Sequence, residues 1–284
     1  MTRVKLLAAA ASGVIGISAM VGGTTFAYFN STQTSTKNTF QTGQLKLTDF
    51  RDDLPLSGPM FYTTDAGGQL GTGDWMPGDM HTRGMFVEND GDLTAVLDSL
   101  SATADDPVGS AEYNDELNFA KESNVLITAL EPVAGDGRFD STTYADMLKA
   151  VNAWYQDEYL RYLAQLGSSI DEGHLTLGQW VDLQDRVYDY IKEDTVNKIF
   201  TVTVGLPGHQ QTMQGRAVNV YSDSLYHLMA GSSASLAPAL SIPPGETTYL
   251  GYTVHFLNLP QAQNNTQGLQ DMKFTFSSNY RASH

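Results

Sequence analysis

Two hydrophobic periods divide this chain. Leu45 and Leu47 alternate with Gln44, Lys46 and Thr48, and Met85 and Val87 with Phe86 and Glu88. Phe200, Val202 and Val204 alternate with Thr201 and Thr203. Leu250, Tyr252, Val254 and Phe256 alternate with Thr253 and His255, and Met272, Phe274 and Phe276 with Lys273, Thr275 and Ser277. A period of two predicts strands with one buried face. Asn124 to Glu131 is a nearly unbroken apolar run closed by Pro132, which predicts a buried strand. Leu93 to Leu100 and Ala217 to Tyr221 are further strand candidates.

From Ser141 to Leu166 the spacing becomes helical, with Tyr144, Met147, Leu148, Val151, Trp154, Tyr155, Tyr159, Tyr162, Leu163 and Leu166 on one stripe. Thr143 with Asp146 offers an N-terminal cap, and Gly167 a stop. Thr176 to Lys192 repeats the pattern, and Thr176 with Gln179 matches a capping box. The aromatic residues of both helices are expected in the core, which large rings dominate through their area. Asp105 to Asn118 reads as loop or short helix, and Leu225 to Leu240 fits neither period.

Turn chemistry separates these segments. Asp52 to Asp79 is a Gly/Pro-rich loop ending in Trp75-Met76-Pro77-Gly78-Asp79, where Pro fixes one central φ and Gly supplies the positive one. Asn89-Asp90-Gly91-Asp92 joins two strand candidates, which predicts a hairpin. Ile242-Pro243-Pro244-Gly245-Glu246 is another turn. Short strands between Gly/Pro turns predict a mainly β fold, a jelly-roll-like antiparallel sandwich over residues 51–284, with a helical insertion at about residues 141–195.

Residues 1–27 have the form of an export signal: Arg3 and Lys5, an apolar run from Leu6 to Val21, and small residues at Thr25 and Ala27. Cleavage is expected between Ala27 and Tyr28. An uncleaved membrane anchor is the competing reading, but the run is near the lower limit of about 17 residues for a span. Residues 28–50 then form a unit of their own. Tyr28-Phe29-Asn30-Ser31-Thr32-Gln33-Thr34-Ser35-Thr36-Lys37-Asn38-Thr39-Phe40 is polar, light and β-capable, and it runs into the first strand. Such a segment suits pairing with a sheet edge, its own or a neighbour's. The plain alternative is a linker before the first strand.

Composition narrows the partners. The 284 residues carry 32 acidic against 16 basic side chains, a net charge of −16, so nucleic acid and anionic lipid are poor partners. A membrane would be met only through the leader. With no cysteine, disulfides, thiolate metal sites and cysteine nucleophiles are excluded.

Several short motifs, in order, resemble the TasA/camelysin family of exported proteins. They are Gly22-Gly23-Thr24, Ala27-Tyr28-Phe29-Asn30, Asn38-Thr39-Phe40, Gly43 and Leu45-x-Leu47. Pro77-Gly78-Asp79 and Phe86-x-Glu88-Asn89-x-Gly91-x-Leu93 follow, then Leu259-Pro260, Asn264 or Asn265, Gln267-Gly268 and Phe274-x-Phe276. The resemblance brackets the chain and leaves out roughly Asp105 to Thr195. It departs at Ser278-Asn279-Tyr280, where the family often has Ala-x-Gln. It implies a secreted jelly-roll subunit whose freed N-terminus, Tyr28 to Phe40, inserts as a donor strand into the next copy. The product would be a biofilm-matrix filament, with Phe29 and Phe40 as anchors. The partner is then the chain itself, with an accessory or anchoring subunit as a further partner.

Camelysin relatives are described as metalloproteases, so the resemblance admits an enzyme reading as well. The histidines are His81, His174, His209, His227, His255 and His284; no H-E-x-x-H motif, G-x-S-x-G motif or Walker loop is present. No catalytic residue, metal ligand or cofactor is therefore assigned. Asn89-Asp90-Gly91-Asp92 lacks the full calcium-loop pattern. Asn30-Ser31-Thr32 and Asn264-Asn265-Thr266 match the glycosylation sequon at Asn30 and Asn264. The expectation is a non-enzymatic, self-assembling extracellular subunit. A metal-dependent surface protease and a monomeric adhesin are the alternatives.

Overall fold

The computed structural model describes residues 28–29, 47–51, 61, 75–133, 137–167, 176–230, 240–258 and 274–283. Among them, the strands are β1 (Tyr28–Phe29), β2 (Leu47–Arg51), β3 (Met80–Asn89), β4 (Thr94–Ala104) and β5 (Ser123–Pro132), followed by β6 (Ile199–Val204), β7 (Gln211–Ser224), β8 (Ser241–Ile242), β9 (Thr247–Phe256) and β10 (Phe274–Ser283). They form a four-stranded sheet in the order β1-β10-β4-β8 and a six-stranded sheet in the order β2-β3-β9-β5-β7-β6. Every pairing is antiparallel except β1 with β10. The mainly β, sandwich-like architecture expected from the sequence is present.

The central strands of the six-stranded sheet are buried on both faces. One face meets the four-stranded sheet, where Val125, Ile127, Leu250, Tyr252, Val254 and Phe256 pack with Leu100, Phe274 and Phe276. The other meets helices: Leu126, Leu130, Tyr249 and Phe200 pack with Tyr144, Met147, Leu148, Tyr155 and Tyr188. This explains why β5 reads as a continuous apolar run. It also corrects the sense of the alternation in β9, whose nominally polar positions are not wet. Thr253 Oγ1 lies 2.7 Å from Thr82 Oγ1, and His255 is buried against Tyr188. Fully burying one large aliphatic or aromatic side chain stabilises a fold by about 1.5–3 kcal/mol, so the helical layer carries much of the stability.

The helices are α1 (Ala111–Lys121), α2 (Ser141–Gly167), α3 (Leu177–Thr195) and α4 (Leu225–Met229). Helices α2 and α3 fulfil the predicted insertion, and α3 starts on the predicted box, with Thr176 N–H donating to Gln179 Oε1 at 2.9 Å. The cap of α2 is not Thr143 with Asp146. Asp140 caps it, its carboxylate accepting from Thr143 N–H at 2.7 Å, because the helix begins at Ser141 and Thr143 already lies in its first turn. That bond holds the Asp140 carboxyl below its usual range. Helix α2 rests on the sheet through Tyr144, whose hydroxyl donates to Leu250 O at 2.6 Å. Gly84 lies beneath the Tyr144 ring and Leu148, with no room for a β-carbon.

The Asn89–Asp92 turn does not make a hairpin. Strand β3 belongs to the six-stranded sheet and β4 to the four-stranded one, so the chain crosses between sheets there. Asn89 builds the corner. Its fully buried amide donates to Leu93 O at 2.8 Å and Ile242 O at 2.7 Å, and accepts from Gly91 N–H at 3.0 Å. Its backbone N–H donates to Glu246 O at 3.0 Å, and its backbone O accepts from Gly245 N–H at 2.8 Å. One side chain thus joins the β3–β4 crossing to the β8–β9 turn.

Candidate functional site

The outer edge of β10 is where the N-terminal segment meets the body. Tyr28 is in register with Thr275, and Phe29 with Phe276, in parallel pairing. Strand β1 covers two positions of a ten-residue strand, and no other described strand pairs along that edge. Here the partner strand comes from the same chain. A sheet edge presents N–H and C=O groups that favour another strand.

The neighbouring core is aromatic. Phe274 and Phe276 turn inward and line an apolar pocket with Phe61, Trp75, Phe119, Leu225 and Val254. Trp75 packs edge-on against Phe61, with centroids 5.6 Å apart, and against Phe119 at 6.2 Å. In any strand seated beside β10, residues in register with Phe274 and Phe276 share their face of the sheet. Phe274 and Phe276 were legible as an inward row. Phe119 and Leu225 were not, because they lie on helices in segments without a clear period.

The motif residues brace the two ends of β3. Pro77-Gly78-Asp79 forms the expected turn: Asp79 N–H donates to Met76 O at 2.9 Å, and Gly78 has a φ of 98°. The turn is pinned to β9, with Gly78 N–H donating to Phe256 O at 2.6 Å and Phe256 N–H to Asp79 O at 2.9 Å. Asp79 also accepts from Met76 N–H at 2.6 Å. Glu88 receives Arg138 Nη1 at 2.7 Å, and Arg138 also reaches Gly245 O. Asn89 and Gly91 make the corner described above. These residues set backbone geometry and do not converge on a reacting centre. Ala27, Asn30 to Phe40, Asn264, Gln267 and Gly268 lie outside the described residues.

Catalytic zinc needs about three convergent nitrogen or oxygen ligands plus an open position. Among the described residues, no three His, Asp or Glu side chains are so grouped. His255 is sealed in the helical core, its Nδ1 hydrogen-bonded to the Tyr188 hydroxyl, and burial lowers its pKa to about 3. His227 Nδ1 lies 2.8 Å from Asp223 on the surface. His81 sits 4.7 Å from the Trp75 ring, its pKa lowered chiefly by burial. The described donors do not fit a zinc centre; His174 and His284 lie outside them. Glu122, at the end of α1, is a buried acid. Its Oε2 has no hydrogen-bond partner among the described residues, and burial pushes the carboxyl up to about 7.

Residues 2–54 match the family described as camelysin metallo-endopeptidase. This bears out the resemblance to the TasA/camelysin family over the leader, the N-terminal segment and the first strand. No curated protein matches the chain. Among the described residues, no helix is long and apolar enough to cross a membrane.

Proposed function

We propose that this chain, a relative of camelysin through its first 54 residues, is the structural subunit of an extracellular filament. After cleavage behind Ala27, the segment from Tyr28 to Phe40 of one copy takes the place beside β10 of the next, and repetition builds the fibre. The observation that supports this is the parallel seating of Tyr28 and Phe29 on the outer edge of β10. Two residues of strand form a small contact within one chain. Exchanging that contact for the same one between copies changes few bonds, so concentration and tether geometry decide the balance. Head-to-tail contacts that do not close a ring give an open filament. Once the leader takes Arg3 and Lys5 with it, 14 basic against 32 acidic residues leave a charge of −18, so copies repel in general and self-assembly needs a specific pairing.

The test uses the absence of cysteine. One copy carries Tyr28→Cys and a second Thr275→Cys, and the two are mixed under oxidation. A disulfide between copies, together with fibres in electron micrographs, is the expected result. Deletion of Tyr28 to Asn38 should leave a folded monomer; normal fibres from that deletant would overturn the proposal. The family description favours peptidase activity as a second reading. Casein hydrolysis abolished by a chelator would establish it.

A further inference from the structure

The six-stranded sheet ends at β6, and no described strand pairs with its outer edge. Ala217 N–H donates to Lys198 O at 2.7 Å, and Ile199 is in register with Arg216, so Lys198 lies opposite Ala217 in a hydrogen-bonded pair. Such pairs alternate along an antiparallel ladder. The next are therefore Phe200 with Gly215, Val202 with Met213 and Val204 with Gln211. The backbone groups of Ile199, Thr201 and Thr203 then point away from β7, where no described strand receives them.

Exposed edges are usually protected by lysine, proline, a bulge or very short length. From Ile199 to Leu206 this edge has no charged residue and no proline, and its pairing with β7 runs without a bulge. It lies within residues 195–222, which carry no acidic side chain on a chain of net charge −16. Exposed apolar side chains flank it at both ends, Val196 at 62% exposure and Leu206 at 76%, with Ile199 at 48% on the strand itself.

We infer that the β6 edge is a lateral contact, where β6 of a second copy pairs antiparallel across a two-fold axis at Thr201, merging two six-stranded sheets into one. An edge that meets its own copy antiparallel is self-complementary. About Thr201, Ile199 of one copy faces Thr203 of the other, so all three outward residues find partners. Phe200 falls opposite Val202, an apolar cross-strand pair. Lys198 falls opposite Val204, and no like charges are opposed. The contact is separate from strand exchange at β10 and holds whether or not that exchange occurs.

The test again uses cysteines in the full chain. Facing residues of a hydrogen-bonded pair have Cα atoms about 5.5 Å apart, within disulfide reach. Thr201→Cys should form a covalent dimer on mild oxidation, on the order of 100-fold faster than Thr203→Cys at micromolar protein, because alignment raises the effective thiol concentration to millimolar. Mixing Thr203→Cys with Ile199→Cys should restore the fast rate. Equal rates for Thr201→Cys and Thr203→Cys would overturn the register and the contact with it. Fast crosslinking that disappears when Tyr28 to Asn38 is deleted would also overturn it, since the edge would then be taken by the N-terminal segment.

Discussion

Asn89 offers the sharpest test of how the two sheets are joined. Asn89→Ala removes three hydrogen bonds and leaves the Leu93 and Ile242 carbonyls without their donor. At about 1 kcal/mol for each bond, the loss is about 3 kcal/mol. For a chain of this size that lowers Tm by roughly 6–12 °C. Asn89→Asp preserves shape and the acceptor for Gly91, but aims a carboxylate at two carbonyl oxygens. Burying an uncompensated charge costs about 3–5 kcal/mol. The introduced acid escapes that cost only by holding a proton. Its folded pKa then lies above the unfolded value, and Asn89→Asp should lose stability further as pH rises from acid to neutral. Thermal unfolding followed by circular dichroism at acid and neutral pH measures both effects. If both variants melt within about 0.5 kcal/mol of the parent at neutral pH, the corner is not held by this side chain.

Two further outcomes follow from the helical layer and the buried acid. Gly84→Ala would push a methyl group into the Tyr144 ring and Leu148 and should destabilise by about 1–3 kcal/mol, measured by urea unfolding; an unchanged midpoint would show that α2 shifts freely. Glu122 holds its proton in the folded chain up to about pH 7, against 4.5 as its reference, so its contribution is fully present below 4.5 and is lost as pH rises through 7. Glu122→Gln cannot ionise, so its stability relative to the parent should climb between those values and then level off; a difference equal at pH 4.5 and pH 8 would refute the assignment.

Helices α2 and α3 were legible because Tyr144 to Leu166 and Leu177 to Ile191 keep their period, and because Thr176 and Gln179 announce a start in the sequence itself. The sequence pattern marks only Ala217 to Tyr221 of strand β7, which runs from Gln211 to Ser224. Its first residues are Gln, Thr, Met, Gln and Gly near an uncovered edge, where burial imposes little pattern. The β3–β4 turn was legible as a turn, but its neighbours were not. The choice between hairpin and crossing rests on Asn89 reaching Ile242, 153 residues away, and no local pattern encodes that. The cap of α2 was misplaced because Asp140 precedes the first residue of the apolar stripe. At the candidate site, the PGD turn and the Phe274/Phe276 row were readable from spacing. The meeting of Tyr28 and Phe29 with β10 was not, since parallel pairing over about 250 residues of chain leaves no trace in either segment.

The sheet with two dry faces has a last implication, for ancestry and for engineering. Take away α2 and α3, and Leu126, Leu130, Phe200, Met213 and Tyr249 are left as a greasy slab facing water. The helical pair is therefore a roof and not an ornament. A trimmed, strands-only relative would have to repaint that slab with polar side chains or hide it against another body.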